Sequence, residues 1–108
     1  MFGLFKKKVD IAEWAEVVYE RPIPHPELEP EDRLAALTEM MILQDNRIIH
    51  DSIRLVKISK NAETRSSRAL LAHKRYAHME KLKPYAHRVA NDNLMQLIRY
   101  TDAEMKTI

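Results

Sequence analysis

The chain contains no cysteine and only one glycine, Gly3, among its 108 residues. Without cysteine there is neither a disulfide framework nor a thiolate zinc site, and the cellular compartment stays undecided. A single glycine also excludes the glycine-rich phosphate-binding loop and the nucleophile elbow of hydrolases, because both need several glycines at fixed spacing. Two common routes to catalysis are therefore closed.

Metal-binding patterns are missing as well. The sequence has no Glu-x-x-His, the usual di-iron element of helical bundles, and no His-Glu-x-x-His. His73 and His78 are five residues apart, so on a straight helix they point about 140° away from each other and do not meet at one ion. We therefore predict no catalytic residue, no metal site and no cofactor, and we do not expect an enzyme.

Long hydrophobic runs are also absent. No apolar segment approaches the length that crosses a bilayer, and no signal-peptide core is present. We expect a cytoplasmic protein without stable membrane association. The first residues place Phe2, Leu4 and Phe5 ahead of three lysines, but so short a segment buries too little for firm attachment. Residues 1–9 are predicted to be a flexible start.

Aromatic residues are scarce at 6% and charged residues abundant at 31%, which suits helices with solvated outer faces. The length predicts one all-α domain, 1–108. Neither glycine nor proline occurs between Glu31 and Lys83. In that region seven positions spaced by seven residues are all apolar or aromatic, namely Leu34, Met41, Ile48, Leu55, Ala62, Ala69 and Tyr76.

Heptad spacing of this kind is typical of a helix that packs on a partner helix, so we predict an oligomeric helical bundle or coiled coil. Leu37 and Ile58 extend the predicted oligomer seam. A second apolar stripe runs beside it, formed by Ile42, Ile49, Ile53, Val56, Leu70 and Ala77. A two-stranded zipper would leave that stripe in water, so the pattern favours a bundle in which other helices cover it.

The predicted long helical region, 31–83, contains one ambiguous stretch. Apolar residues are almost absent over 59–68, and Asn61 with Glu63 suits the start of a new helix. Against a break, no glycine is available for a tight cap, and the heptad phase continues unchanged. The sequence therefore leaves two alternatives: a continuous helix, which would span roughly 78 Å, or a helical hairpin that turns near 59–64.

A short helix is predicted before this region, over 10–20. Asp10 can cap its first turn, and Glu13 completes the capping-box spacing. Trp14, the only tryptophan, is the predicted anchor that docks this helix on the longer ones. Four prolines then make 21–30 an extended linker, because proline restricts its own backbone and that of the preceding residue.

A C-terminal helix is predicted over 84–101. Pro84 suits its first turn, because a proline there removes no helical hydrogen bond. Val89, Leu94 and Leu97 supply part of an apolar face at helical spacing.

Charge is unevenly distributed, although the net charge is only +2. Residues 1–50 carry ten acids and six bases, a balance of −4, and residues 51–108 carry six acids and twelve bases, a balance of +6. Halves of opposite charge can bind each other within one chain or between chains, or bind separate partners.

The basic half contains a column of arginines at one heptad position, formed by Arg47, Arg54, Arg68 and Arg75. A parallel zipper would set only Arg75 opposite an acid, and an antiparallel zipper would set the arginines against each other, so neither would neutralise the column. Two partners fit this column: the chain's own acidic residues between Glu13 and Asp32, or a polyanion such as nucleic acid. The predicted anion-binding residues are Arg54, Arg65, Arg68, Lys74 and Arg75.

The leading prediction is therefore a non-enzymatic helical scaffold or adaptor that forms a homo-oligomer. The alternative is a helical accessory protein whose basic face binds nucleic acid through sequence-independent phosphate contacts.

Overall fold

The computed structural model describes residues 9–89 and 91–108, and within them the chain is helical and has no strand. Helix α1 spans Ile11–Tyr19, α2 Glu31–Ile58, α3 Ala62–Leu82 and α4 Asp92–Met105, and short 3-10 segments span Pro26–Leu28 and Lys83–Arg88. The all-α prediction is confirmed. No helix in this part of the chain is long and apolar enough to cross a membrane. The predicted flexible start lies outside the described residues, except for Val9.

Helices α2 and α3 form an antiparallel hairpin with a turn at 59–61, so the alternative of one continuous helix is wrong. Polar side chains make the turn possible without glycine. The side-chain oxygen of Asn61 accepts hydrogen bonds from the backbone N–H groups of Glu63, at 2.9 Å, and Thr64, at 3.2 Å. This cap satisfies amides at the start of α3 that a continuous helix would have paired internally.

The core follows one stripe of α2, whose buried side chains are Leu34, Thr38, Ile42, Asp45, Ile49, Ser52 and Ile53. Three of them, Thr38, Asp45 and Ser52, are polar and stand seven residues apart. The isoleucines belong to the second apolar stripe, so that stripe faces the chain's own core. Against it pack Ala72, Met79 and Leu82 of α3.

Helix α1 lies along the hairpin and is anchored by Trp14, as predicted. The Trp14 side chain is fully buried, and its indole N–H donates a hydrogen bond of 2.8 Å to the Thr38 hydroxyl. Its ring stacks on Tyr85, with the two ring centroids 5.2 Å apart. The N-terminal helix is therefore part of the core rather than a tail.

Helix α4 contacts a different side of the hairpin. The Thr101 hydroxyl donates a hydrogen bond to Asn46 of α2 and lies 3.0 Å from the ring of His50. The Tyr76 hydroxyl of α3 donates to Asp102 at 2.6 Å, and the ammonium of Lys83, the first residue of the following 3-10 segment, lies 2.7 Å from the same carboxylate. Helices α1 and α4 thus flank the hairpin on separate faces.

The C-terminal helix begins at Asp92 rather than near residue 84, which corrects the predicted boundary. Pro84 instead lies in the 3-10 segment that follows α3, where Tyr85 and Ala86 are buried. Asn91 then caps α4 by accepting a hydrogen bond of 3.0 Å from the Asn93 backbone N–H. Proline is compatible with the first turn of either helix type, so its position did not separate them.

Candidate functional site

The part of the hairpin nearest its turn has no side chain that the rest of the described chain buries. The last buried side chain on α2 is Ile53, and the next along the chain is Ala72 on α3. Residues 54–71, which we name the distal hairpin, contain no buried side chain, although several are large and apolar. Ile58 is 65% exposed and Leu70 is 56% exposed. This surface is the clearest candidate for contact with another molecule.

Helix α1 leaves this surface open because it is short. Its last residue, Tyr19, is followed by Glu20, which lies beside Arg75. The chain then returns toward the start of α2, and the Tyr19 hydroxyl donates a hydrogen bond of 3.1 Å to Glu29. No hydrogen bond or ion pair joins the described part of α1 or its linker to residues 54–71, and only Leu71, at the edge of this segment, lines a groove with α1.

The distal hairpin is also strongly basic. It carries five cations and one acid, Glu63, a balance of +4. Lys57 lies 3.5 Å from Glu104 of α4, and the Arg65 guanidinium donates to the Ser59 carbonyl at 3.0 Å. The remaining cations are Arg54, Lys60 and Arg68, which are exposed and have no ionic partner within residues 9–89 and 91–108.

The predicted oligomer seam is divided between the core and this surface. Leu34 is buried in the chain's own core. Half-buried positions are Leu37, Met41, Ile48, Leu55, Ala69 and Tyr76, whereas Ile58 and Ala62 are exposed. Four of these positions lie on the distal hairpin, namely Leu55, Ile58, Ala62 and Ala69. Leu34 lies near the opposite end of α2.

A buried ion cluster connects α1, α2 and α3 away from the distal hairpin. Asp45 of α2 is almost fully buried, and its two carboxylate oxygens lie 2.5 Å from His78 Nδ1 and 3.3 Å from Arg75 Nε. The Arg75 guanidinium extends to Glu20 of α1, at 2.6 Å. The predicted approach of the acidic N-terminal region to an unmatched arginine is confirmed at this pair.

His78 is placed to carry a proton. Its Nδ1 faces the Asp45 carboxylate, and its Nε2 lies 3.0 Å from the Val17 carbonyl oxygen. Both neighbours are acceptors, so both ring nitrogens must donate. Burial acts to lower the pKa of His78, but the hydrogen bonds to Asp45 and Val17 and the charges of Asp45 and Glu20 outweigh it, and the pKa is raised.

Glu20 ends α1 in the left-handed region, with φ of 57°, where glycine is the usual residue. A non-glycine residue there costs roughly 1–2 kcal/mol. The ion pair with Arg75 gives a physical reason for glutamate at this position, because it uses the carboxylate that glycine lacks.

The five predicted anion-binding residues are not one patch. Arg54, Arg65 and Arg68 lie on the distal hairpin. Lys74 lines an open groove of about 630 Å³ between α1 and α3, opposite the acids of α1. Arg75 is already engaged by Asp45 and Glu20.

The buried ion cluster was not anticipated from the sequence, although a signal exists. Thr38, Asp45 and Ser52 repeat every seven residues on the core-facing stripe, so a carboxylate at the middle position requires a cationic partner. Within the described residues no group of three or more acidic or histidine side chains could hold a metal ion. Comparison of the chain with protein-family models, curated proteins and solved structures finds no match.

Proposed function

We propose that the protein is a non-enzymatic, cytoplasmic scaffold or adaptor that self-associates through the distal hairpin. The observation that supports this most directly is the run of residues 54–71 without a buried side chain, despite Leu55, Ile58 and Leu70. Exposed apolar side chains grouped on one surface and bordered by charges are typical of protein–protein contact sites.

The helical state of the distal hairpin supports the same proposal. Short helices without tertiary packing are marginally stable in water. The first ten residues of α3, 62–71, have the Asn61 cap and pack on α2, but none of their side chains is buried within the described chain. A second molecule packed against them would supply the missing apolar contacts.

Light scattering over a range of concentrations tests self-association. We expect an oligomer at micromolar concentration, and we expect the double variant Ile58→Asp, Leu70→Asp to be monomeric with an unchanged helical circular dichroism spectrum. Met40→Asp is the matched control, because Met40 is 62% exposed on α2 but lies outside the distal hairpin. A monomeric wild-type protein at about 100 µM would contradict the proposal.

A second candidate is nucleic-acid binding by the same surface, favoured by its balance of +4 and by the unpaired Arg54, Lys60 and Arg68. Contacts of this kind go to phosphates, so sequence preference should be slight and affinity should fall steeply with salt. Titration of a labelled duplex at low salt tests it. Arg54→Ala with Arg68→Ala should weaken binding, whereas Arg99→Ala, an exposed arginine on α4, should not. Absence of binding at tens of micromolar protein would exclude this candidate.

A further inference from the structure

Acidic and basic side chains are concentrated on different parts of the molecule. Residues 10–32, which form α1, the proline-rich linker and the start of α2, carry eight acids and one base, a balance of −7. We name these residues the acidic face. The distal hairpin carries +4. The two segments therefore have opposite charges of comparable size.

These two surfaces lie toward opposite ends of the hairpin. Trp14 of the acidic face contacts Thr38 and Tyr85, near the end where α2 begins and α3 finishes. The distal hairpin surrounds the turn at the other end. The long axis of the molecule measures 55 Å, and α2 alone accounts for about 42 Å of helix. No ion pair joins the two surfaces within the described chain, and the end of α1 pairs instead with Arg75, which lies outside the distal hairpin.

Both surfaces retain charges without a partner inside the chain. On the acidic face Glu20 pairs with Arg75, Glu29 with Arg33 and Glu31 with Arg88. The other acids have no cationic lysine or arginine partner in the part of the chain that the structure describes, and they include Glu13, Glu16, Glu27 and Asp32.

Each surface also presents an exposed apolar side chain. Leu28, in the 3-10 segment of the acidic face, is 74% exposed, and Ile58 of the distal hairpin is 65% exposed. Each therefore combines an apolar residue with unpaired charges of one sign, which is the composition of the two sides of a complementary interface.

We propose that the distal hairpin of one copy docks on the acidic face of the next copy, in a head-to-tail arrangement. This inference rests on the proposed self-association and specifies its geometry. A two-fold contact between two distal hairpins would place +4 against +4, and such juxtaposition of like charges is costly. A head-to-tail contact uses two different surfaces, so it continues into a ring or a filament.

Two charge-reversed variants of the full chain test this geometry. The first carries Arg54→Glu, Lys60→Glu and Arg68→Glu on the distal hairpin. The second carries Glu13→Lys, Glu16→Lys, Glu27→Lys and Asp32→Lys, which change the balance of the acidic face from −7 to +1. In each variant both surfaces have the same sign, so self-association should weaken by roughly tenfold or more. Equimolar mixing should restore association, because each surface of one variant then meets an opposite charge on the other. Arg99→Glu is the control and should behave like the wild type.

The outcomes separate this inference from the proposed function. If the contact were two-fold and joined two distal hairpins, the acidic-face variant would associate as strongly as the wild type. The distal-hairpin variant would then bind the wild type more tightly than either protein binds itself. That result would overturn the head-to-tail arrangement while preserving self-association. A monomeric wild-type protein would refute both. Circular dichroism of each variant establishes that a loss of association is not a loss of fold.

Discussion

The Nδ1 atom of His78 lies 2.5 Å from the Oδ2 atom of Asp45, between residues 33 positions apart on facing helices. The opposite ring nitrogen of His78 donates to the Val17 carbonyl. One imidazole therefore connects α1, α2 and α3, and it does so only while both nitrogens carry a proton.

The stability of the fold should therefore depend on pH through His78. Its folded-state pKa is raised above the unfolded value of about 6.5, so the native state binds the proton more tightly. The contribution of His78 to the free energy of unfolding is complete at pH values below its unfolded-state pKa. It is lost as the pH rises through the raised folded-state pKa. Urea unfolding at a series of pH values should show this loss in the wild type and not in His78→Gln. His50→Gln, a histidine near Thr101, should retain it. An unchanged pH profile in His78→Gln would contradict the assignment.

Removing the carboxylate of Asp45 should be strongly destabilising. Asp45→Ala removes the acceptor of His78 Nδ1 and the buried counter-charge of Arg75, and breaking a buried ion pair from one side typically costs about 3–5 kcal/mol. Asp51→Ala is the control, because Asp51 is on the same helix but exposed, and surface substitutions usually change stability by less than about 0.5 kcal/mol. Equal free energies of unfolding for the two variants would show that the cluster has no stabilising role.

The hydrogen bond between Trp14 and Thr38 should appear as a coupling energy in a double-mutant cycle. Thr38→Val leaves the buried indole N–H unpaired, at a cost of about 1–3 kcal/mol. In a Trp14→Phe background there is no such donor, so the same substitution should cost less. Tryptophan fluorescence of the wild type should be blue-shifted and poorly quenched by iodide. Additive effects, or emission typical of an exposed indole, would argue against a docked α1.

The turn of the hairpin should depend on Asn61. Replacing this cap by alanine removes the acceptor for the Glu63 and Thr64 amides and should cost about 1 kcal/mol. Ser66→Ala, at an exposed position inside α3, should be neutral or slightly stabilising because alanine favours helix. Thermal unfolding of the two variants measures the difference, and an Asn61→Ala protein as stable as Ser66→Ala would show that the cap is dispensable.

Local signals in the sequence predicted the helices better than the register of the core. Asp10 and Trp14 located α1 correctly, because capping and a single large anchor act over a few residues. The break between α2 and α3 was also visible at Asn61, but the continuing heptad phase argued against it. That phase was coincidental, since Ala62 is exposed.

The core stripe was obscured for a different reason. A search for apolar spacing favours Leu34, Met41, Ile48 and Leu55, whereas every other layer of the true stripe is polar, at Thr38, Asp45 and Ser52. Thr38 and Asp45 are buried with hydrogen-bond partners, which for Thr38 are Trp14 and the Leu34 carbonyl and for Asp45 is His78. The partners of Asp45 lie more than 25 residues away, and a pattern within α2 cannot identify them.

The polar layer at Asp45 has a consequence for how the two arms of the hairpin align. Apolar side chains tolerate a shift of one helix along another, because one leucine replaces another in the contact. A shift of α3 by one turn, about 5.4 Å, would carry His78 away from Asp45 and leave a buried carboxylate among hydrocarbon. Asp45 therefore fixes the register of α2 against α3, because only one alignment of the two helices places it beside both His78 and Arg75. The loop at 59–61 does not have to set this register, so a residue inserted there should bulge outward. The hydrogen-exchange rates of the backbone amides in α2 and α3 should then be unchanged.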